Sequence, residues 1–121
     1  MNFLSDSVYE IISKRTTCVA AKGFGGISLA TAISSRHNLN LTLIRKEPKL
    51  YGTEKFIEGY LPKKGDKITI VDDVFTTGNS LRKAMGVLEK LESEIIQCCV
   101  VVKRGEGELD YPLSYLIDLK E

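Results

Sequence analysis

Ile70-Val-Asp-Asp-Val-Phe-Thr-Thr-Gly-Asn-Ser80 holds an apolar run, two carboxylates, a turn of hydroxyl residues and glycine, and a helix start within eleven residues. Upstream, Lys67 to Val71 brings Ile68, Ile70 and Val71 together and predicts a buried strand. Downstream, Leu81, Ala84, Met85, Leu88 and Leu91 recur at helical spacing and predict an amphipathic helix. The unit is strand, tight turn, helix. Ile95 to Val102 then reads as another buried strand and Tyr115 to Leu119 as a last one.

The same alternation holds on the N-terminal side. Ser7-x-x-Glu10 has the form of a capping box, with Val8, Ile11 and Ile12 at helical spacing, so a first helix is expected to run to about Lys14. Thr17 to Ala21 reads as a strand and Lys22-Gly-Phe-Gly-Gly26 as a glycine turn. Ile27, Ala30 and Ile33 make a helix ending near His37-Asn38, and Leu39 to Ile44 a second strand. Arg45 to Glu54 is a polar loop with Pro48 and Gly52, followed by a strand from Lys55 to Tyr60. Ten loop residues are too few for a helical crossover, so that strand should run antiparallel to the one before it. Strands alternating with helices imply a largely parallel sheet with one antiparallel strand and helices on both faces, all within a single domain, residues 1–121.

Composition narrows the function. Seventeen basic residues oppose sixteen acidic ones, for a net charge of +1, which argues against a duplex nucleic-acid or polybasic membrane binder. No run approaches the roughly 18 apolar residues of a membrane span, and the charged N-terminus is unlike a signal peptide, so a cytoplasmic location is expected. Cys18, Cys98 and Cys99 lack metal-site spacing and read as buried thiols in a reducing compartment. His37 is the only histidine and lies in a polar turn, a poor place for a catalytic base.

In an open α/β sheet, ligands bind beyond the carboxyl ends of the strands. Two acids followed by Thr76, Thr77, Gly78, Asn79 and Ser80 at a helix start suit a ligand carrying hydroxyls and a phosphate, since a helix N-terminus offers free N–H groups and partial positive charge. Gly23, Gly25 and Ser28 form a degenerate GxGxxG, which reads equally as a phosphate loop or as a tight turn that needs glycine. Arg45 stands where a dinucleotide site would carry an acid.

The run from Ile70 to Ser80 closely resembles the phosphoribosyl diphosphate (PRPP) motif of the type I phosphoribosyltransferases. Arg45-Lys-Glu-Pro-Lys-Leu-Tyr-Gly52 resembles the mobile catalytic loop of the orotate members, and Val102-Lys-Arg-Gly-Glu-Gly107 continues the likeness. The resemblance covers about residues 17 to 107 and implies a three-layer phosphoribosyltransferase-like fold. It implies transfer of ribose 5-phosphate from PRPP to orotate, with release of diphosphate. Asp72 and Asp73 would face the ribose hydroxyls; Thr76 to Ser80, after the spacer Val74 and Phe75, would cradle the 5′-phosphate. Backbone N–H groups of Phe24, Gly25 and Gly26 would face the diphosphate. Arg45 and Lys49 would neutralise the leaving group, with Lys46 and Tyr51 beside them, Tyr51 replacing the family's usual histidine. Arg104 would hold the base. Mg²⁺ would bind through PRPP and water, with no direct protein ligand. A homodimer would let the loop from Arg45 to Thr53 act on the neighbouring subunit's site. Only some sixteen residues precede the first core strand, so most of the orotate enzymes' N-terminal hood is expected to be missing. A PRPP-binding regulatory subunit without activity, or a transferase for another base, stands as the alternative.

Overall fold

The computed structural model describes residues 2–48 and 55–119. Its elements in chain order are α1 (Asn2–Ile11), β1 (Cys18–Lys22), α2 (Phe24–His37), β2 (Asn40–Ile44), β3 (Ile57–Gly59), β4 (Lys67–Phe75), α3 (Asn79–Leu88), β5 (Glu94–Arg104) and β6 (Leu113–Leu119). Among the described residues six strands form one sheet in the order β3-β2-β1-β4-β5-β6. Only the β2–β3 pair is antiparallel, with Ile44 opposite Ile57 and Thr42 opposite Gly59. The expected mixed sheet is the one observed.

Strands covered on both sides bury successive residues to opposite faces. Cys18, Val19, Ala20 and Ala21 of β1 are all fully buried. Val19 and Ala21, with Val71 and Cys99, meet Val8 and Ile12 from the N-terminal helix and turn and Leu29, Ala30 and Ile33 of α2. Cys18, Ala20, Ile68, Ile70, Cys98 and Val100 meet Leu81, Ala84, Met85 and Leu88 of α3. The neighbours Cys98 and Cys99 therefore point into different layers, and burial pushes both thiols up to about 12, which leaves them protonated and unreactive.

The opposite end of the sheet is closed by Asp66. Its carboxylate accepts from Thr17 Oγ1 at 2.7 Å, Tyr60 Oη at 2.6 Å and the Lys63 N–H at 3.0 Å. Burial pulls its pKa upward, but these bonds outweigh that and hold it below the ordinary value. His37 is structural: its Nε2 lies 2.9 Å from Asp6, which also takes Arg36 Nε and Nη2 at 2.8 and 2.7 Å. The Tyr9 ring stacks on His37 at 3.7 Å between centroids, so α1 is docked on the last turn of α2. The Arg36 hydrogen bond holds Asp6 at about 2.

Four elements depart from their expected bounds. The first helix begins at Asn2, not Ser7, and ends at Ile11 rather than Lys14. Ser7 is inside it, donating from Oγ to the Phe3 carbonyl one turn back at 3.0 Å, so the capping-box reading is wrong. β4 continues through both acids to Phe75 because its pairing with β5 persists to Lys103. The third strand shrinks to three residues, and β6 starts at Leu113. The Ser7 correction is measurable. Ser7→Ala should leave stability within about 0.5 kcal/mol in urea unfolding, whereas loss of a capping serine would cost about 1 kcal/mol.

Candidate functional site

The carboxyl ends of β1 and β4 meet the N-termini of α2 and α3. β1 passes into α2 through Gly23 alone, at φ +86°, a conformation that disfavours any side chain. The first helical bond of α2 runs from Ile27 N to Gly23 O at 2.9 Å. The N–H groups of Phe24, Gly25 and Gly26 thus have no acceptor within the helix. In α3 the equivalent bond runs from Arg82 N to Gly78 O at 2.9 Å, leaving the N–H groups of Asn79, Ser80 and Leu81 in the same position. Gly78 caps that helix at φ +87°.

The glycines of α2 are set by contact, not by dihedral. A Cβ on Gly25 would fall 2.2 Å from Asp73 Oδ2. One on Gly26 would fall 2.9 Å from the Val71 carbonyl and 3.2 Å from Asp72 Oδ1. The first turn of α2 therefore lies directly against the acid pair, so the diphosphate-loop residues and the PRPP-motif acids named from sequence occupy one locus. Asp72 is 8% exposed and accepts from the Asp73 N–H at 2.8 Å; Asp73 is exposed and accepts from the Val74 N–H at 2.9 Å. Burial, then the neighbouring Asp73 carboxylate, pushes Asp72 up to about 7. Two buried acids thus mark the two ends of the sheet: Asp66 is saturated by donors, and Asp72 is short of them.

A pocket of about 50 Å³ is lined by Asp72 and by Val74 through Leu81. Thr76, Thr77, Asn79 and Ser80 are exposed on it. Phe75 is 1% exposed, so its ring supports the turn from the core side while its neighbours face solvent. The Phe24 side chain, 96% exposed, stands clear of the helix that presents its N–H.

Arg104 closes β5 at the same end of the sheet, one residue past the Lys103 that pairs with Phe75. Arg45 follows β2 and is already engaged: its N–H reaches the Phe56 carbonyl at 2.6 Å, Nε the Glu47 carbonyl at 2.9 Å, and Nη1 pairs with Glu58. Lys46 is exposed beside it. Lys49 and Tyr51 lie outside the described residues. Sequence reasoning passed over Lys22, the last residue of β1, opposite Ile44 and immediately before Gly23. It makes no ion pair among the described residues. A lysine ending an otherwise apolar strand, one step before the glycine turn, was the available signal.

Unsatisfied N–H groups of two helix N-termini, two carboxylates and cations on three strand ends converge at one end of the sheet, an arrangement able to meet anionic and hydroxyl groups. Comparison with known proteins agrees. Residues 16–112 match the phosphoribosyl transferase domain. An orotate phosphoribosyltransferase of Methanothermobacter thermautotrophicus is 42% identical over 92 residues, 76% of this chain and 51% of that one. Another, from Thermococcus gammatolerans, is 46% identical over 89 residues, 74% of this chain and 47% of that one. The crystal structure of the Aeropyrum pernix orotate phosphoribosyltransferase superimposes with a TM-score of 0.81 at 28% identity, covering 97% of this chain and 70% of that one. The chain belongs to the phosphoribosyl transferase family. It spans about half the length of the curated relatives it matches.

The raised Asp72 value has a consequence for stability. Below the ordinary carboxylate value of 3.8 the group is protonated folded and unfolded alike. As pH rises from there to about 7, the unfolded chain loses the proton first, and the stability that burial of the neutral acid supplies is progressively lost. Asp72→Asn should therefore melt higher than the parent protein at pH 8, and the difference should close toward pH 4 in a thermal-melt series.

Proposed function

We propose that the protein transfers ribose 5-phosphate from PRPP to orotate, releasing diphosphate, as a cytoplasmic enzyme of pyrimidine nucleotide synthesis. The observation that carries this reading is the contact of the α2 first turn with the Asp72–Asp73 pair, one turn away from the α3 N-terminus. Two anion-binding helix ends flank one hydroxyl-binding acid pair, which is the order of groups along PRPP. The orotate preference rests on the Arg45 and Arg104 segments and on the relatives' being orotate phosphoribosyltransferases.

In this reading the N–H groups of Phe24, Gly25 and Gly26 hold the diphosphate. Asp72 and Asp73 orient the ribose through its hydroxyls. Thr76 to Ser80, with Val74 and Phe75 shaping the approach, fix the 5′-phosphate. The bond from C1 to the diphosphate oxygen breaks through an oxocarbenium-like state as a ring nitrogen of orotate bonds to C1, and the proton that nitrogen sheds passes to the departing diphosphate. Positive charge beside the departing oxygens is then the main aid, and Arg45 and Lys49 supply it, with Lys46 and Tyr51 on the same loop. Arg45 exchanges Glu58 for the diphosphate when it does so. Arg104 fixes the orotate ring. The same loop, once closed, keeps water from the activated sugar.

Asp72 and Asp73 suit Mg²⁺, because that ion takes one or two carboxylates together with waters and substrate phosphates. In this reading these two acids would hold the ion through water and substrate oxygens. When bound, the ion neutralises diphosphate charge.

Mixing the protein with PRPP, Mg²⁺ and orotate should deplete orotate absorbance only when all three are present. A regulatory subunit would bind PRPP without depletion, and a transferase for another base would consume a purine faster. Asp73→Asn should cost about 10²–10³ in rate. Arg104→Ala should raise the orotate KM far more than the PRPP KM.

The loop from Arg45 to Thr53 is proposed to reach the neighbouring subunit of a homodimer. Lys49→Ala and Asp73→Asn chains, each inactive, would then complement on mixing. Half the dimers would be mixed, each with one intact site, and about a quarter of normal activity would return. A loop acting within its own subunit would restore nothing.

A further inference from the structure

The crossover from β5 to β6 is eight residues, 105–112, with no helix in it. Parallel neighbours ordinarily need a dozen or more. Arg104 lies opposite Leu119 and Cys98 opposite Leu113, so the segment retraces six residues of β5. That is roughly 20 Å of strand, and nine peptide steps reach at most about 30 Å. The segment is a short strap without secondary structure, and its route crosses the phosphate turn. A Cβ on Gly105 would lie 3.4 Å from the Thr76 carbonyl, and one on Gly107 would lie 3.1 Å from the Phe75 ring. Leu109 Cδ2 comes within 3.1 Å of the Cβ position of Gly78.

Arg82 ties the two together. It is in the first turn of α3, and its guanidinium donates from Nη1 to the Thr77 carbonyl and from Nη2 to the Glu108 carbonyl, both at 2.7 Å. Because the fork is planar and rigid, holding both carbonyls fixes the turn relative to the strap. The Thr77 carbonyl belongs to the peptide that joins Thr77 to Gly78. Any rotation of that peptide to meet an anion moves the atom Arg82 holds.

We propose that Arg82 is a positioning residue that couples occupancy of the phosphate turn to the strap 105–112, and through it to Arg104 at the strap's head. The proposal rests on the phosphate reading of Thr76–Ser80 given above. The base side of the site is then ordered by the phosphate end of the sugar.

The test is hydrogen exchange on the full chain with and without inorganic phosphate. In the parent protein, phosphate should slow exchange in 76–80 and also in 105–111, by about fivefold or more. In Arg82→Met the protection of 76–80 should remain and that of 105–111 should disappear, with little change in melting temperature. Arg82→Lys, which keeps the charge but has one donor nitrogen in place of the planar fork, should fall between the two, and it decides the matter alone if Arg82→Met does not fold. Equal strap protection in parent and Arg82 variants would overturn the role of Arg82. Protection of the turn without the strap in the parent protein would overturn the coupling and leave the phosphate reading intact. Protection of neither would remove the phosphate reading, and the coupling with it.

Discussion

A methyl group at residue 25 would overlap a carboxylate oxygen of Asp73, and one at residue 26 would crowd the Val71 carbonyl. That steric limit lets the first turn of α2 come down onto the end of β4. The approach brings partial positive charge to two carboxylates, Asp72 nearly buried and Asp73 exposed. The sheet order follows the same need, since β1 and β4 must be neighbours for α2 and the acid pair to meet. Without the two glycines the helix would stand off, and the acids would belong to an ordinary strand end.

The charge arrangement at this locus is unbalanced by design of the fold. Asp72 is nearly buried, carries a second carboxylate beside it, and has few donors, so its proton affinity rises to about 7. Asp66, equally buried at the other end, is met by three donors and stays ionised. The contrast separates an acid that secures the scaffold from one whose proton affinity is set by burial beside a second carboxylate. Arg45 shows the reverse case among the cations: it is parked on Glu58 at the base of the β2–β3 hairpin.

Much of this was legible in the residues because β1, β4 and most of β5 are buried on both faces and read as unbroken apolar runs. Ile68 to Val71 and Ile95 to Val102 announced themselves, as did α3 through its leucine and alanine spacing. The acids and the TTGNS turn were readable because their chemistry is local in sequence. What escaped depends on distant partners. Ser7 mimics a cap because its carbonyl acceptor, Phe3, is invisible to a three-residue motif. β4 outruns its apolar pattern because β5 keeps pairing with it past the acids. Lys22 and Arg82 matter through what they face across the sheet and turn, and neither position carries a pattern of its own.

The register between β1 and β4 sets Cys18 beside Ile68, fifty positions further along the chain, whereas β4 meets β5 at Ile68 and Ile95, and β1 meets β2 at Cys18 and Asn40. Closing that long interval carries the largest entropy of any strand pairing in the sheet, and distant pairings form slowly. Each flanking part, β1-α2-β2 and β4-α3-β5, can gather its own contacts beforehand. The turn from Val74 to Leu81 belongs to the second part alone, whereas the seat of the α2 first turn on the acid pair exists only after their union. Any ligand that spans both selectively stabilises the joined state over its separated halves.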